Sequence, residues 1–315
     1  MKDRKLQIAG GNYLDFDQLA RMLNSLSTLK ENKPSLITDD TLASTDHTNN
    51  SNVSSKKAQA LTFSDLEEDT GLPFRQLRNR AAVARALGLF QERSLKLTIF
   101  GEFIAEYDIF FENIGTLEYC HYLAAGRERN LVWFDVFNEL LPNNPSADYS
   151  GWMNFFKSKY KDEYTEHSLK DHFPKEIRFM IEAYVKNRFR KLELIIESSE
   201  GKLQRRRYAN PQPLILAAMI YDYVEHNGSS VIQIEELSEA PGSPGAVFAM
   251  ETSTMRSNLE SLHEQNLLRM ESRHGLDQIR IKDGLTSEDF LKAYYTGFKV
   301  QSSEVQGGMV EGNLL

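Results

Sequence analysis

One cysteine, Cys120, stands in 315 residues, so no internal disulfide framework and no Cys-rich zinc site can be built from this chain, and the usage fits a reducing cytoplasm. Long apolar runs are equally scarce. No stretch reaches membrane-spanning length and no N-terminal apolar h-region is found, so the expectation is a cytoplasmic protein with no membrane partner. The Asn-x-Ser matches at Asn49 and Asn52 then carry no meaning, because no secretory route is indicated. An excess of positive charge is missing too: the net charge of −8 argues against a protein coated for indiscriminate nucleic-acid binding. Where glycines do cluster, in EAPGSPGAVFAM (239–250), no lysine follows Gly245, and Pro241 and Pro244 remove two N–H groups that a phosphate nest would use. That stretch reads as a rigid turn.

What is present is a folded protein. An apolar content of 41% in a chain of this length can bury real cores and predicts two or three compact units. Its charge is polarised. Residues 73–93 hold Arg75, Arg78, Arg80, Arg85 and Arg93 against Glu92, and residues 186–207 hold eight basic residues against Glu193, Glu197 and Glu200. Acid concentrates elsewhere, as in 225–251.

Along the chain, 13–28 reads as a helix with Leu14, Leu19, Met22, Leu23 and Leu26 on one face. From about 30 to 57 the chain is rich in Ser, Thr, Asn and Asp, too polar to offset ordering entropy, and is read as a flexible insertion. A short helix from about Ser64, a turn at Thr70-Gly71 and a second helix opened by Pro73 follow, which is helix-turn-helix grammar. On that second helix Phe74, Leu77, Ala81, Ala84 and Leu87 form a stripe expected to be buried, and the arginines are expected to face out. SLKLTIFGEF supplies an extended segment suited to a wing or to a lead into the next helix. The middle reads as a helical, aromatic bundle, with a helix near 177–196 carrying Lys186, Arg188, Arg190 and Lys191, and the Arg205–Arg207 run in a loop. Then come a helix over PLILAAMIYDYVEHNG, a short strand over SSVIQI, a short helix over EELSEA, the Pro/Gly turn, a helix from near Thr252, and a hairpin turning at Arg273-His274-Gly275. That order is the order of a winged helix.

Three segments, LTIFGEFIAEYDIFFENIGTLEYCHYLAAG, VWFDVFNELLP and APGSPGAVFAM followed by LESLHEQNLLRMESRHGLDQIRI, carry a resemblance to the bacterial domain of unknown function family four-thousand-and-seven. The matched positions include Leu97, Thr98, Gly101, Asp108, Thr116, Leu117, His121, Phe137, Asn138, Ser243, Pro244, Gly245 and Phe248. The resemblance implies a place in anti-phage defence loci beside DNA phosphorothioation genes, in a family that includes the SspB-type DNA-nicking component. The chain lacks the His-Glu-Thr-Phe and Arg-Tyr-Gly-Trp signature usual before the first helix-turn-helix of that family.

Candidate sites follow. Arg75, Arg78, Arg80 and Arg85 are candidate DNA contacts, since a helix after a tight turn can enter the major groove and arginine reaches phosphates or guanine edges; the alternative is a solvated helix face. Arg205, Arg206 and Arg207 could track phosphates, and Arg273, with Arg269, His274, Arg280 and Lys282, could grip a backbone as a wing does. Asp108, Glu112, Glu118 and His121 could hold Mg²⁺ or Mn²⁺. Against that, Asp108 is also placed to cap a helix, and His121 lies in an aromatic segment as a core histidine would. Asp108 and His121 are also the catalytic candidates for a nicking reaction, and Cys120 has only His121 as a cationic neighbour in sequence to make it a thiolate. Glu200-Gly-Lys202 matches the end of a nuclease motif without the aspartate strand it needs.

These readings predict a mainly α fold: two helix-turn-helix or winged-helix units flanking a helical middle, with short β-hairpin wings. The expected divisions are 1–102 (N-terminal helix, insertion and helix-turn-helix), 103–204 (helical middle), 205–285 (winged helix) and 286–315 (short helix and tail). The expected function is DNA binding within a phage-defence or phosphorothioation-type complex, with no cofactor for binding. The alternatives are an SspB-type nickase using Mg or Mn, and a protein-interaction scaffold. Expected partners are duplex DNA and defence proteins encoded nearby; a homo-oligomer stays open.

Overall fold

In the computed structural model the described residues are 6, 15–32, 61–273 and 276–300. Helix α1 (Phe16–Asn32) buries Phe16, Leu19, Met22, Leu23 and Leu26 along one face. It runs past the end expected at 28, and the insertion from residue 33 onward lies outside the described residues. Helix α2 (Phe63–Thr70) starts in a capping box, with the Thr62 hydroxyl accepting the Asp65 N–H and the Asp65 carboxylate accepting the Thr62 N–H at 2.8 Å, worth about 1 kcal/mol. Gly71 ends it at φ +67°, the left-handed conformation that glycine adopts without a Cβ clash.

Pro73 is the N-cap of α3 (Phe74–Ala86), whose Leu77, Ala81 and Ala84 are buried together with Leu87 beyond its end. Phe74 departs from the expected stripe. It is 47% exposed, at the first turn where α2 covers only part of the ring. A narrow hairpin follows, closed by the Phe90–Leu97 bridge, and α4 (Ile99–Tyr107) is capped by the Thr98 hydroxyl.

Two helices are apolar on nearly all sides and form the centre. They are α5 (Ile114–Ala125), buried from Gly115 to Tyr122, and α10 (Pro213–Asn227), buried from Ile215 to Val224. Around them pack α6 (Leu131–Asp135), continued by a π-helical turn (Val136–Leu140) into α7 (Leu141–Asn143). Then come β1 (Ser146–Ala147), α8 (Tyr149–Tyr160) and α9 (Phe173–Val185). The helix expected near 177–196 stops at α9. Asn187 turns extended, a 3₁₀ turn spans Arg188–Leu192, and the β-branched Ile195 and Ile196 enter β2 (Ile195–Glu197). Strand β3 (Leu203–Arg205) pairs with both β1 and β2, antiparallel, with Gln204 opposite Ser146 and Ile196. Arg205 therefore lies in a strand, and the expected loop begins only at Arg206.

The order expected for the C-terminal third is present except within the Pro/Gly stretch, which was expected as a turn and instead folds into a short helix from Pro244, where Ser243 caps it and proline sits at its first position. After α10 come β4 (Val231–Gln233), α11 (Ile234–Glu239), α12 (Pro244–Phe248), α13 (Thr252–Glu264), β5 (Arg269–Arg273) and β6 (Leu276–Arg280). The sheet order is β4-β6-β5, antiparallel, with Ile279 opposite both Ile232 and Met270. Helix α14 (Ser287–Thr296) returns against α10 and α4, and residues 301–315 of the expected tail lie outside the described residues. The protein is mainly helical, and one continuous core runs through α1, the middle helices and the C-terminal sheet. No helix among the described residues is long and apolar enough to cross a membrane.

The Pro/Gly stretch is a docking element. A Cβ on Gly245 would meet the Ser238 Cα at 2.5 Å and the Leu237 carbonyl oxygen at 2.7 Å, so α12 lies directly on α11 only because that side chain is absent. Ser243 caps α12, Asn138 accepts the Gly242 N–H at 2.7 Å, and His121 bonds the Val247 carbonyl. Several positions that carried the family resemblance thus meet at one buried junction.

Candidate nucleic-acid interface

On α3, Arg75 and Arg78 are exposed, and neither forms an ion pair with another described residue. The Arg78 guanidinium lies 5.9 Å from the Phe74 ring centroid, and Phe63 meets that ring edge-on at 5.6 Å. Arg85 is half-buried and donates from Nη2 to the Ser94 carbonyl at 3.0 Å; burial lowers its pKa. Arg80 was expected to face out and does not. Five residues on from Arg75, it sits about 140° round the helix, is 4% exposed and donates from Nε to Gln18 Oε1 at 3.0 Å. Burial lowers its pKa, with Asp15 opposing, and it is removed from the interface.

The structure adds cations that the sequence-based assignment left out. In the hairpin after α3, the Gln91 N–H donates to the Lys96 carbonyl at 2.9 Å. Arg93 takes φ +61° at the tip, and Arg93 and Lys96 are both exposed. Through Ser94, Arg85 clamps this hairpin to the helix. Arg129, from the loop after α5, pairs with Glu92 and donates to the Arg85 carbonyl at 3.4 Å. Lys96 was legible as part of an extended segment beside the basic helix; nothing local in the sequence points to Arg129. Helix α2 presents exposed Glu67, Glu68 and Asp69, and Glu67 Oε1 accepts the Phe74 N–H at the start of α3 at 3.1 Å.

Most of the other basic candidates have partners within the chain, some buried and some at the surface. Arg205 donates to the Ala246 carbonyl at 2.6 Å, and burial brings its pKa down to about 10, so it is a structural strut rather than a phosphate contact. Arg206 pairs with Glu193 at 2.8 Å and Arg207 pairs with Glu251. Arg188 and Lys191 both reach Glu112, and Arg188 lies 3.6 Å from Asp17. In the C-terminal sheet Arg280 pairs with Glu271 at 2.8 Å, and Arg256 of α13 with Asp277. Lys282 is buried. The Arg273 side chain and His274 lie outside the described residues. Helix α13 turns Ser253, Ser257, Glu260, Ser261 and Glu264 to solvent, an acidic face unsuited to a DNA groove.

The metal candidates do not converge. Asp108 ties the α4–α5 corner, accepting the Glu112 N–H at 2.9 Å and the Asn113 N–H at 3.1 Å. Glu112 is held below the usual carboxylate range by Lys191, then Arg188. Glu118 is fully buried and accepts from the Tyr208 hydroxyl at 2.6 Å and the Gln212 N–H at 3.0 Å, with burial raising its pKa to about 7. His121 lies between the Val247 carbonyl at 3.1 Å and the Tyr184 hydroxyl at 2.5 Å. The carbonyl only accepts, so Nε2 carries the proton and Tyr184 donates to Nδ1. Burial drives the imidazole pKa down to about 3, and Phe137 and Phe248 enclose it edge-on. Each of the four is committed to a different partner, and no group of three His, Cys, Asp or Glu residues suited to a cation occurs among the described residues. These residues do not fit a magnesium or manganese site. Cys120 is buried, and burial pushes its thiol up, away from thiolate chemistry. Glu200 and Lys202 pair with each other at 2.8 Å in the β2–β3 turn.

Two solved structures share this architecture. A magnesium ion-bound SspB crystal structure aligns with a TM-score of 0.64 at 14% identity, covering 93% of this chain and 90% of that one. A second SspB crystal structure aligns with a TM-score of 0.64 at 14% identity, covering 91% and 86%. At such identity the likeness is one of fold. Comparison with curated proteins gave no match. The model of the family described as "Protein of unknown function (DUF4007)" matches residues 83–295, and the chain belongs to that family.

Proposed function

We propose that this protein is a DNA-binding component of a bacterial phage-defence or phosphorothioation-type DNA-modification complex, and that it holds duplex DNA with its N-terminal unit. In this reading α2, α3 and the 90–97 hairpin act as a winged helix-turn-helix: α3 enters the major groove and the hairpin grips the flanking backbone. The observation that carries it is the pair Arg75 and Arg78, one turn apart, exposed and free of ion pairs with described residues. Beside them stands a hairpin whose exposed Arg93 and Lys96 are clamped to the same helix by Arg85. The defence setting rests on the family resemblance.

Salt titration tests the reading. Each phosphate contact removed flattens the slope of log K against log salt by about one unit. Arg75→Ala and Arg78→Ala each lower that slope and the double change lowers it further, with circular dichroism unchanged. A folded double variant with unaltered affinity and slope would sink it.

The C-terminal unit favours a second role. With Arg256 tied to Asp277 and α13 presenting serines and glutamates, its winged-helix order serves protein docking, with neighbouring defence proteins or a second copy as partners. Nicking takes third place, since Asp108, Glu112, Glu118 and His121 are engaged in the fold. Supercoiled plasmid with Mg²⁺ or Mn²⁺ stays closed in this reading, and metal-dependent nicking by the purified chain would reverse the order.

A further inference from the structure

Among the exposed arginines of α3 stands a half-exposed phenylalanine. Phe74 is the first residue of α3, 47% exposed, at the helix end that reaches base edges when such a helix enters the major groove. Its ring is held from two sides before any ligand arrives, by Phe63 edge-on at 5.6 Å and by the Arg78 guanidinium at 5.9 Å, so little ordering entropy remains to be lost. The Glu67 carboxylate accepts the Phe74 N–H, so that N–H is not free to bind a phosphate. The groove floor presents hydrogen-bonding atoms and one apolar group, the C5-methyl of thymine, with which phenylalanine makes apolar contact.

We propose that Phe74 reads the C5-methyl group of a pyrimidine in the major groove while Arg75 and Arg78 hold the flanking phosphates. This rests on the DNA-binding reading above and adds a specificity to it. Competition titrations of the full chain at fixed salt use four duplexes of equal length: alternating A·T, the same with uracil for thymine, alternating G·C, and the same with 5-methylcytosine. Within each pair the phosphates and minor groove are common, and only the methyl differs. Burying one methyl corresponds to about fourfold in affinity. The expected result is about fourfold tighter binding of each methyl-bearing duplex. Phe74→Ala abolishes that preference.

Equal binding of the thymine and uracil duplexes by the unaltered chain overturns the proposal while DNA binding stands, and this comparison needs no variant to fold. Persistence of the preference in a folded Phe74→Ala chain overturns it as well, because another group then reads the methyl. Absence of salt-dependent binding to all four duplexes removes the DNA reading itself.

Discussion

Glu118 offers a measurement of how far burial governs this fold. Its carboxyl is fully buried between α5 and the start of α10, with the Tyr208 hydroxyl and the Gln212 N–H as partners. Burial outweighs those bonds and raises its pKa from an ordinary 4.5 to about 7. The native state then binds a proton more tightly than the unfolded chain does. Stability from this group is complete below about pH 4.5, falls as pH rises, and is lost above about pH 7. A shift of that size corresponds to about 3 kcal/mol, with a maximum slope of about 1.4 kcal/mol per pH unit. Glu118→Gln keeps an acceptor for both donors and cannot ionise. Urea unfolding of both proteins from pH 4.5 to pH 8, followed by tryptophan fluorescence, gives a difference from which His121 and the other titrating groups cancel. The original chain is expected to lose about 3 kcal/mol relative to the variant across that range and then level off. Parallel pH profiles would refute the argument, and a difference of opposite sign would mean that a cation, not burial, governs the carboxylate.

Two further substitutions probe the junction beneath the Pro/Gly turn. Gly245→Ala places a methyl against the backbone of Ser238 and Leu237 and is expected to cost about 1–3 kcal/mol in urea unfolding; a neutral result would mean that α11 and α12 are not in close contact. His121→Leu strands the Tyr184 hydroxyl and the Val247 carbonyl and is expected to cost about 2–4 kcal/mol, with the DNA salt slope unchanged. Loss of DNA affinity at full stability would move His121 from the core to the site.

Much of the local structure was legible because turn chemistry and periodicity act over a few residues. Gly71, Pro73 and the Leu77, Ala81, Ala84 spacing define α2, the turn and α3, and the C-terminal order from α10 to β6 follows from the same signals. Less of the candidate site was legible. Arg75 and Arg80 look alike in sequence, yet Arg80 faces Gln18, 62 positions away. Arg205 and Arg206 are neighbours, yet one is buried against Ala246 and the other pairs with Glu193 at the surface. Asp108, Glu112, Glu118 and His121 share fourteen consecutive residues, which is proximity along a chain and not convergence in space. Helical spacing by itself determined which faces of α1 and α13 must be covered, and of α3 all but its first turn and Arg80, since a repeat of 3.6 residues places apolar groups together whatever the rest of the chain does. Only the tertiary structure decided which cations stay free for a polyanion. That depends on carboxylates and carbonyls brought in from distant elements, and no local pattern encodes their arrival.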